Sequence, residues 1–212
     1  MKVWFWLTIA ADICVIKSNN EAGKDLVVIM SKIGIFMADG CEEIEGLTVV
    51  DVARRAKLEI VMISITGTRE VKGSHDIIFM ADALASDVNY DELDGIVLPG
   101  GMPGTLNLGA DETVNKVIRE FAAAGKLVCA ICAAPSVLGA AGILEGRHAV
   151  CHPGFEEKLT GAFVDEDEVV TDGTIITSRG MGTAIPFALA IVKYLKGEDA
   201  VAEIRKGLVY RA

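Results

Sequence analysis

The sequence predicts an α/β protein whose mainly parallel sheet is covered by helices on both faces. Three observations lead to this fold class. Short apolar runs alternate along the chain with longer segments whose apolar residues recur at helical spacing. The apolar runs end in glycine, proline or aspartate, as buried strands do. Strands that alternate with helices pair in parallel, because each helix returns the chain across the sheet.

The predicted strands are apolar runs bounded by turn residues. They cover residues 32–38, 58–65, 94–101 and 126–131, with hairpins around Lys72-Gly73 and at Asp172-Gly173. The predicted helices carry apolar residues three and four apart. They cover Glu42–Lys57, Asp111–Ala124, Ala133–Ala141, Thr183–Leu195 and Asp199–Lys206, with a break at Lys196-Gly197. The first helix has acids at its start and bases at its end, as the helix dipole favours.

Composition limits the classes of function. The 212 residues can bury one sizeable core, and they carry a formal net charge of −10. Lysines and arginines do not cluster in the sequence, which argues against nucleic-acid and anionic-membrane binding. Five cysteines without framework spacing indicate reduced thiols, so we expect a cytoplasmic protein.

The first 30 residues differ from the rest of the chain. A short apolar run, MKVWFWLTIAADICVI, lacks a convincing cleavage site and is too short to span a bilayer. A polar linker follows, and Met30 would make a natural start before the first strand. We therefore predict an N-terminal extension over residues 1–30, from upstream read-through or as a weak targeting segment. The α/β domain is predicted over residues 31–212.

The carboxyl ends of the predicted strands should carry the functional site, as is typical of parallel sheets. Cys132 lies where a strand gives way to a helix of small residues, as in a nucleophile elbow. Ala133 and Ala134 leave room for the bend, and the N–H groups of the helix start would lower the thiol pKa. The alternative is a buried structural cysteine, a common fate of free thiols.

Cys129 and Cys132 also form a C-x-x-C pair. Such a pair can be redox-active or, with Cys151 and His152, can contribute to a zinc site. Cys129 lies inside the apolar strand, however, so packing in the core is the favoured interpretation. We expect neither a cofactor nor a metal.

Three carboxylates occupy the start of the first helix. Complementing the helix dipole explains Glu42 and Glu43, whereas Glu45 stands between Ile44 and Gly46 and can face the sheet. A partly apolar cleft would raise the pKa of the Glu45 carboxyl. Glu45 could then stay protonated and donate a hydrogen bond to a thiolate.

Two further segments follow predicted strands. LPGGMPG lacks the lysine of a phosphate-binding loop, but the Gly101 N–H could face an oxyanion. His152 gains a catalytic interpretation only if the fold brings it near Cys132. His148 is predicted on the surface, and His75, after a Gly-Ser turn, has no assigned role.

Six blocks then occur in the order expected of one family. They are ADGCEEIE, VDVARRA, DGIVLPGGMPG, CAICAAPSVL, CHPG and TSRGMGTAIPFALAIV. In these blocks the chain resembles the ThiJ/PfpI superfamily, most closely the branch of the parkinsonism-associated protein deglycase and bacterial YajL. The resemblance covers residues 31–212 and implies a flavodoxin-like, doubly wound fold that is usually a homodimer.

The resemblance also implies roles for individual residues. It assigns the nucleophile to Cys132, the buried glutamate to Glu45 and the nearby histidine to His152. It assigns the oxyanion donors to the backbone N–H groups of Gly101 and Ala133.

Arginines of the same blocks imply anion or substrate binding by Arg54, Arg55 and Arg179. His75 stands where an arginine is common, which puts a second anion-binding cation in doubt. Cys-Ala-Ala replaces the more common Cys-Ala-Gly and slightly narrows the pocket. Ala133 stands where peptidase-like members carry a histidine, which argues against a protease-style pair at the elbow.

The resulting expectation is a cofactor-independent, glyoxalase III-like or deglycase-like enzyme that protects against carbonyl and oxidative stress. Its substrates would be 2-oxoaldehydes such as methylglyoxal and glyoxal, or their early adducts. One alternative is a redox-sensing chaperone in which Cys132 is oxidised to a sulfinate. Another is an intracellular cysteine peptidase or hydrolase of the PfpI type. We expect a small dicarbonyl or glycated substrate and a homodimer, without membrane or nucleic-acid partners.

Overall fold

The computed structural model describes residues 31–211, which contain eleven strands and five α-helices. The strands are β1 Lys32–Met37, β2 Glu59–Ser64, β3 Glu70–Lys72, β4 Ile78–Met80, β5 Ala83–Leu84, β6 Gly95–Leu98, β7 Leu127–Ile131, β8 His148–Ala149, β9 Phe163–Val164, β10 Val169–Asp172 and β11 Ile175–Ser178. The helices are α1 Glu43–Arg55, α2 Gly104–Ala110, α3 Glu112–Ala123, α4 Pro135–Ala140 and α5 Ala184–Leu208. The predicted N-terminal extension lies outside the described residues.

Seven of these strands form one sheet in the order β10-β11-β7-β6-β1-β2-β5. All neighbouring pairs are parallel except β10 with β11, so the predicted fold class is confirmed. From β1 the chain proceeds outward to β2 and β5, and it then returns to β6 on the other side of β1. The switch in direction therefore lies between β1 and β6, where doubly wound sheets place their ligands.

Two hydrophobic layers cover the sheet. One layer joins α1 and α5 to one face, and the other joins α2, α3 and α4 to the opposite face. Residues of β7 alternate between the layers, with Cys129 in the first and Val128 and Ala130 in the second. Cys129 is fully buried, and burial raises its thiol pKa far above the usual range. Its predicted place in the core is confirmed.

Several elements differ from the sequence prediction. Helix α2 was not predicted, because its segment GTLNLGA is short and buries Leu108 as its one large apolar side chain. The two-residue strands β5 and β9 were also missed, since so short a segment has no period to detect. The strand expected before His152 is β8, which is only two residues long. The predicted break at Gly197 is present within α5, where its φ of 80° interrupts the helix. Over residues 31–211 no helix combines the length and the apolar character needed to cross a membrane.

Candidate active site

Cys132 stands directly after β7 in a strained backbone conformation. Its φ of 65° lies in the left-handed region that residues other than glycine rarely adopt. Its N–H donates to Ser178 O at 2.9 Å, and its carbonyl accepts the His152 N–H at 2.8 Å. Helix α4 begins three residues later, at Pro135 rather than at the predicted Ala133. The strand–turn–helix geometry is that of a nucleophile elbow.

The turn after β6 approaches this elbow closely enough to require glycine. A Cβ on Gly100 would lie 2.6 Å from Cys132 Cβ and 2.8 Å from Glu45 Oε2. Gly101 has a φ of 89°, and a Cβ there would clash with the Glu42 backbone nitrogen. The N–H groups of Gly101 and Ala133 both reach the Cys132 sulfur and lower its pKa in part. The two predicted oxyanion donors therefore both face the thiol.

Glu45 projects into the site from the first turn of α1. It is 1% exposed, and its Oε2 accepts the Gly100 N–H at 2.9 Å. Its Oε1 is buried without a hydrogen-bond partner within the part of the chain that the structure describes. Burial raises the pKa of Glu45 to about 7, although interactions with Cys132 and the Gly100 N–H oppose this rise. Glu45 thus faces the site, as expected, and can exchange a proton near neutral pH.

The predicted lowering of the Cys132 pKa is wrong. Burial of the thiol and the nearby Glu45 charge raise its pKa to about 12, and the donors Ala133 and Gly101 only partly offset this. The N–H groups of the helix start can be expected from the sequence, whereas burial of the thiol and the carboxyl that faces the sulfur from α1 depend on the fold. When Glu45 takes up a proton, its negative charge disappears from beside the sulfur. A thiolate therefore forms more easily beside a protonated Glu45 than beside a charged one.

His152 borders the same space from the segment after β8. Its Nδ1 lies 2.9 Å from the Pro153 carbonyl, so Nδ1 carries the proton and Nε2 is the acceptor. The Cδ2 edge of the ring faces Gly180, which follows β11. A Cβ built on Gly180 would lie 3.6 Å from His152 Cδ2, 3.9 Å from Cys132 Sγ and 3.9 Å from Glu45 Oε1. The three predicted site residues therefore meet around one glycine.

Gly180 itself was not predicted as a site residue. It lies in the block TSRGMGTAIPFALAIV, from which only Arg179 was assigned a role. The block could have drawn attention to Gly180, but nothing in the sequence shows that side chains from three other segments would surround it.

Two of the three predicted anion-binding arginines are not brought to this site. Arg54 and Arg55 lie in the last turn of α1, about 14 Å along the helix from Glu45 at 1.5 Å per residue. Arg54 pairs with Asp82 at 2.7 Å, and Arg55 pairs with Asp51 at 2.6 Å. Their predicted role in this site is corrected accordingly.

Arg179 lies at the edge of the site, directly before Gly180. Its guanidinium donates to the Glu166 carbonyl at 2.8 Å. Its positive charge also lowers the pKa of Glu156, beside the backbone N–H groups that do so more strongly. Arg179 is therefore the one predicted arginine that is adjacent in sequence to a residue of the site, while its charge acts on Glu156 and Cys151.

Glu42 and Glu43 are both buried at the start of α1. Glu42 caps the helix by accepting the Glu45 N–H at 2.7 Å. Glu43 accepts the His75 N–H at 2.7 Å, and its Oε2 lies 2.9 Å from His75 Nδ1. Burial raises the Glu43 pKa, but the two hydrogen bonds from His75 outweigh it and lower the pKa to about 2. The dipole explanation therefore missed the second function of Glu43, which anchors the β3–β4 hairpin.

Among residues 31–211, the side chains of Glu42, Glu43 and His75 form a group that could in principle bind a metal ion. Their ligand atoms lie within 4.8 Å of one another. Glu43 and His75 already satisfy each other by hydrogen bonding, and Glu42 is occupied in capping α1. We therefore assign these residues to structure rather than to metal binding.

Known proteins resemble this chain in sequence and in fold. The model of the DJ-1/PfpI family matches residues 31–194. Protein dj-1beta of Drosophila melanogaster is 38% identical over 177 residues, which cover 82% of this chain and 95% of the relative. The Caenorhabditis elegans protein named glutathione-independent glyoxalase DJR-1.2 is 34% identical over 173 residues, covering 80% of this chain and 91% of that protein.

Solved structures show the same similarity. The crystal structure of Drosophila melanogaster DJ-1beta has a TM-score of 0.82 at 35% identity and covers 87% of this chain and 100% of its own. A structure described as oxidized DJ-1 of Toxoplasma gondii has a TM-score of 0.83 at 34% identity, covering 86% of this chain and 100% of its own.

Proposed function

Because the chain belongs to the DJ-1/PfpI family, we propose that it is a cysteine-dependent enzyme acting on 2-oxoaldehydes. Methylglyoxal, glyoxal and their early adducts on amines or thiols are the substrates, so the activity is glyoxalase-like or deglycase-like. The observation that carries this proposal is the group formed by Cys132, the unpartnered Glu45 oxygen and two backbone N–H donors. The name of the Caenorhabditis elegans relative supports the same class of reaction.

In the first step, the Cys132 sulfur attacks the aldehyde carbon. A C–S bond forms, and the carbonyl π electrons move to oxygen. The Gly101 and Ala133 N–H groups stabilise the oxyanion that develops. Glu45 takes the thiol proton and passes it to this oxygen, which gives a hemithioacetal. A carboxyl with a pKa of about 7 can accept and return a proton at neutral pH.

In the second step, the hemithioacetal isomerises. Glu45 removes the hydrogen of the former aldehyde carbon as a proton and returns it to the neighbouring carbonyl carbon. The hydroxyl proton moves to the second oxygen, with the His152 Nε2 as a further relay, and a thioester of the 2-hydroxy acid results. Water then attacks the thioester, the C–S bond breaks, and the thiol regains its proton. Methylglyoxal and one water become lactic acid, without an external oxidant or reductant.

Turnover of methylglyoxal by Cys132 variants tests the proposal. Cys132→Ser and Cys132→Ala should reduce lactate formation to background, because neither variant supplies a thiolate. Cys129→Ala is the matched control: it removes the other sulfur of the C-x-x-C pair from the core and should retain turnover. Persistent turnover in Cys132→Ala would exclude the proposed mechanism. Loss of turnover in a folded Cys129→Ala variant would instead favour chemistry by the cysteine pair.

Oxidation of Cys132 is a second candidate function, in which the protein is a redox-responsive chaperone. The oxidized Toxoplasma gondii relative supports it, as do the N–H donors and protonatable Glu45 that could hold sulfinate oxygens. Two molecules of hydrogen peroxide would convert the thiol to a sulfinate with release of two waters. Mass spectrometry after mild peroxide should find two added oxygens on Cys132. Equal modification of all cysteines would contradict this function.

Peptide hydrolysis is the remaining alternative, and it is tested in the same preparation. A peptide mixture incubated under reducing conditions should stay intact while methylglyoxal is consumed. The residue after the nucleophile is Ala133, which cannot serve as the general base of a protease-style pair. Cleavage that Cys132→Ala abolishes would establish the peptidase function instead.

An exposed apolar face beside the site supports assembly into a homodimer. Ile44 and Ile77 are 51% and 54% exposed, and Leu47, Ile185 and Leu208 border the same hollow. Light scattering should give twice the chain mass for the wild type. Ile77→Lys should shift it to the monomer, since the charge would enter the contact. A monomeric wild type would exclude the homodimer.

A further inference from the structure

Gly100 and Gly101 must be glycine because there is no room for a side chain, but this reason does not apply to Gly180. At Gly100 and Gly101, a Cβ would lie within 3 Å of neighbouring atoms, so glycine is required by packing. The backbone of Gly180, with φ 161° and ψ −168°, is extended and open to any residue. Its N–H bond to the Thr183 hydroxyl would also be made by any residue except proline. Neither backbone conformation nor packing explains glycine at this position.

The missing side chain leaves a space that opens onto the three reactive groups. The three heavy atoms nearest to a built Cβ are His152 Cδ2, Cys132 Sγ and Glu45 Oε1, at 3.6 to 3.9 Å. These are ordinary van der Waals distances, so one methyl group would fill the space without displacing a neighbour. Gly180 is itself buried, so the space is part of the site rather than of the open surface.

A second observation indicates that a ligand atom enters this space. Glu45 is 99% buried, and its Oε1 faces the space without a hydrogen bond of regular geometry among residues 31–211, with the Cys132 thiol as its one polar neighbour there. A buried polar atom without a partner costs free energy that a bound polar group can recover. An oxygen on the carbon next to the reacting aldehyde would lie within reach of this carboxyl.

We propose that Gly180 is a specificity-determining residue, whose missing side chain forms a subsite for the acyl group attached to the reacting aldehyde carbon. The proposal rests on the proposed function and adds the part of the substrate that is selected. The aldehyde oxygen faces Gly101 and Ala133, while the acyl group lies over Gly180 with its oxygen against Glu45. Dicarbonyls with a small second group fit this subsite. Simple aldehydes leave the Glu45 oxygen unpaired.

Gly180→Ala tests the subsite with two substrates that differ by one methyl group. The added methyl should lower kcat/KM for methylglyoxal more than for glyoxal and change their ratio about tenfold, the usual effect of one methylene in a fitted pocket. Gly182→Ala is the matched control, because Gly182 is exposed and a Cβ there meets nothing within 4 Å. The control should leave the ratio unchanged. An unchanged ratio in a folded Gly180→Ala variant would overturn the proposal.

A measurement that needs no turnover separates this proposal from the proposed function. Intact-mass spectrometry follows alkylation of Cys132 by iodoacetamide, which is small, and by N-ethylmaleimide, which is bulky, with Cys132→Ser as the blank. Gly180→Ala should slow the maleimide reaction selectively, while Gly182→Ala should react like the wild type. Equal rates in all three proteins would overturn the subsite. Selective slowing without any dicarbonyl turnover would keep the subsite and reject the glyoxalase-like function.

Discussion

Glu43 and Glu45 lie two residues apart on the same helical turn, and both are at most 3% exposed, yet their carboxyls differ in pKa by several units. Burial raises the pKa of both groups. Two hydrogen bonds from His75 lower the pKa of Glu43 to about 2, whereas Glu45 stays at about 7 with one oxygen unpartnered. The difference teaches that the groups facing a buried carboxyl decide its charge together with burial: Glu43 faces the ring and the backbone N–H of His75, whereas Glu45 faces no cation among residues 31–211 and lies near the charge of Glu42. One carboxylate is fixed as an anchor, and the other is left able to exchange a proton.

The largest expected difference between the two carboxyls is catalytic. Glu45→Gln should lower turnover of methylglyoxal by about 10²–10⁴-fold, since an amide cannot accept and return the proton. Glu43→Gln, the same substitution two residues earlier, should leave turnover within about fivefold of the wild type. Initial rates of lactate formation give both values, with circular dichroism as a check of folding. Equal losses in the two folded variants would remove the distinction between anchor and proton carrier.

The second difference concerns stability and pH. The raised pKa of Glu45 means that the folded state holds a proton between pH 4.5 and about 7 that the unfolded state releases. This contribution to the free energy of unfolding is therefore complete at low pH and is lost as pH rises through about 7. The loss amounts to roughly 3 kcal/mol from the shift in pKa. Urea unfolding at pH 4.5 and pH 8 should show it in the wild type, and Glu45→Gln should lack it. A pH-independent difference between the two proteins would contradict the raised pKa.

The smallest effect has the opposite sign and is local to the hairpin of β3 and β4. The lowered pKa of Glu43 stabilises the hairpin above pH 4.5, and this is lost as pH falls towards about 2. The pKa of His75 is raised by Glu43, so its contribution is complete below pH 6.5 and is lost as pH rises through the folded pKa. Amide hydrogen exchange over residues 70–80, corrected for intrinsic rates, should show most protection between about pH 4.5 and pH 6.5, where both contributions are present. His75→Gln should flatten the alkaline side, and an unchanged profile would contradict the role of the pair.

Much of this arrangement follows from the sequence because apolar periodicity and chain order determine where strands end. Cys132 and the Gly-Gly turn each follow a strand, and the parallel sheet necessarily brings those ends together. Glu45 could be expected to face the sheet from its neighbours Ile44 and Gly46. Local pattern is enough for these placements.

The rest depends on contacts between distant segments. The raised pKa of the Cys132 thiol comes first from burial between distant segments and then from a carboxyl on another element, and the importance of Gly180 comes from the three side chains around it. Arg54 and Arg55 stand in a motif close in sequence to Glu45, but the rise of α1 carries them away from it. Proximity in sequence was there a poor guide to proximity in space.

At Cys132, the left-handed backbone conformation lowers the stability of the fold, while the side chain supplies the reactive thiol. A residue with a Cβ in that region costs about 1 kcal/mol that glycine would not. Directed evolution for heat resistance alone would therefore tend to enrich glycine at position 132 and lose the thiol. Retention of Cys132 under such selection would have to come from a simultaneous demand for its reactivity, which makes this position a sensitive reporter of whether a population of variants is still selected for function.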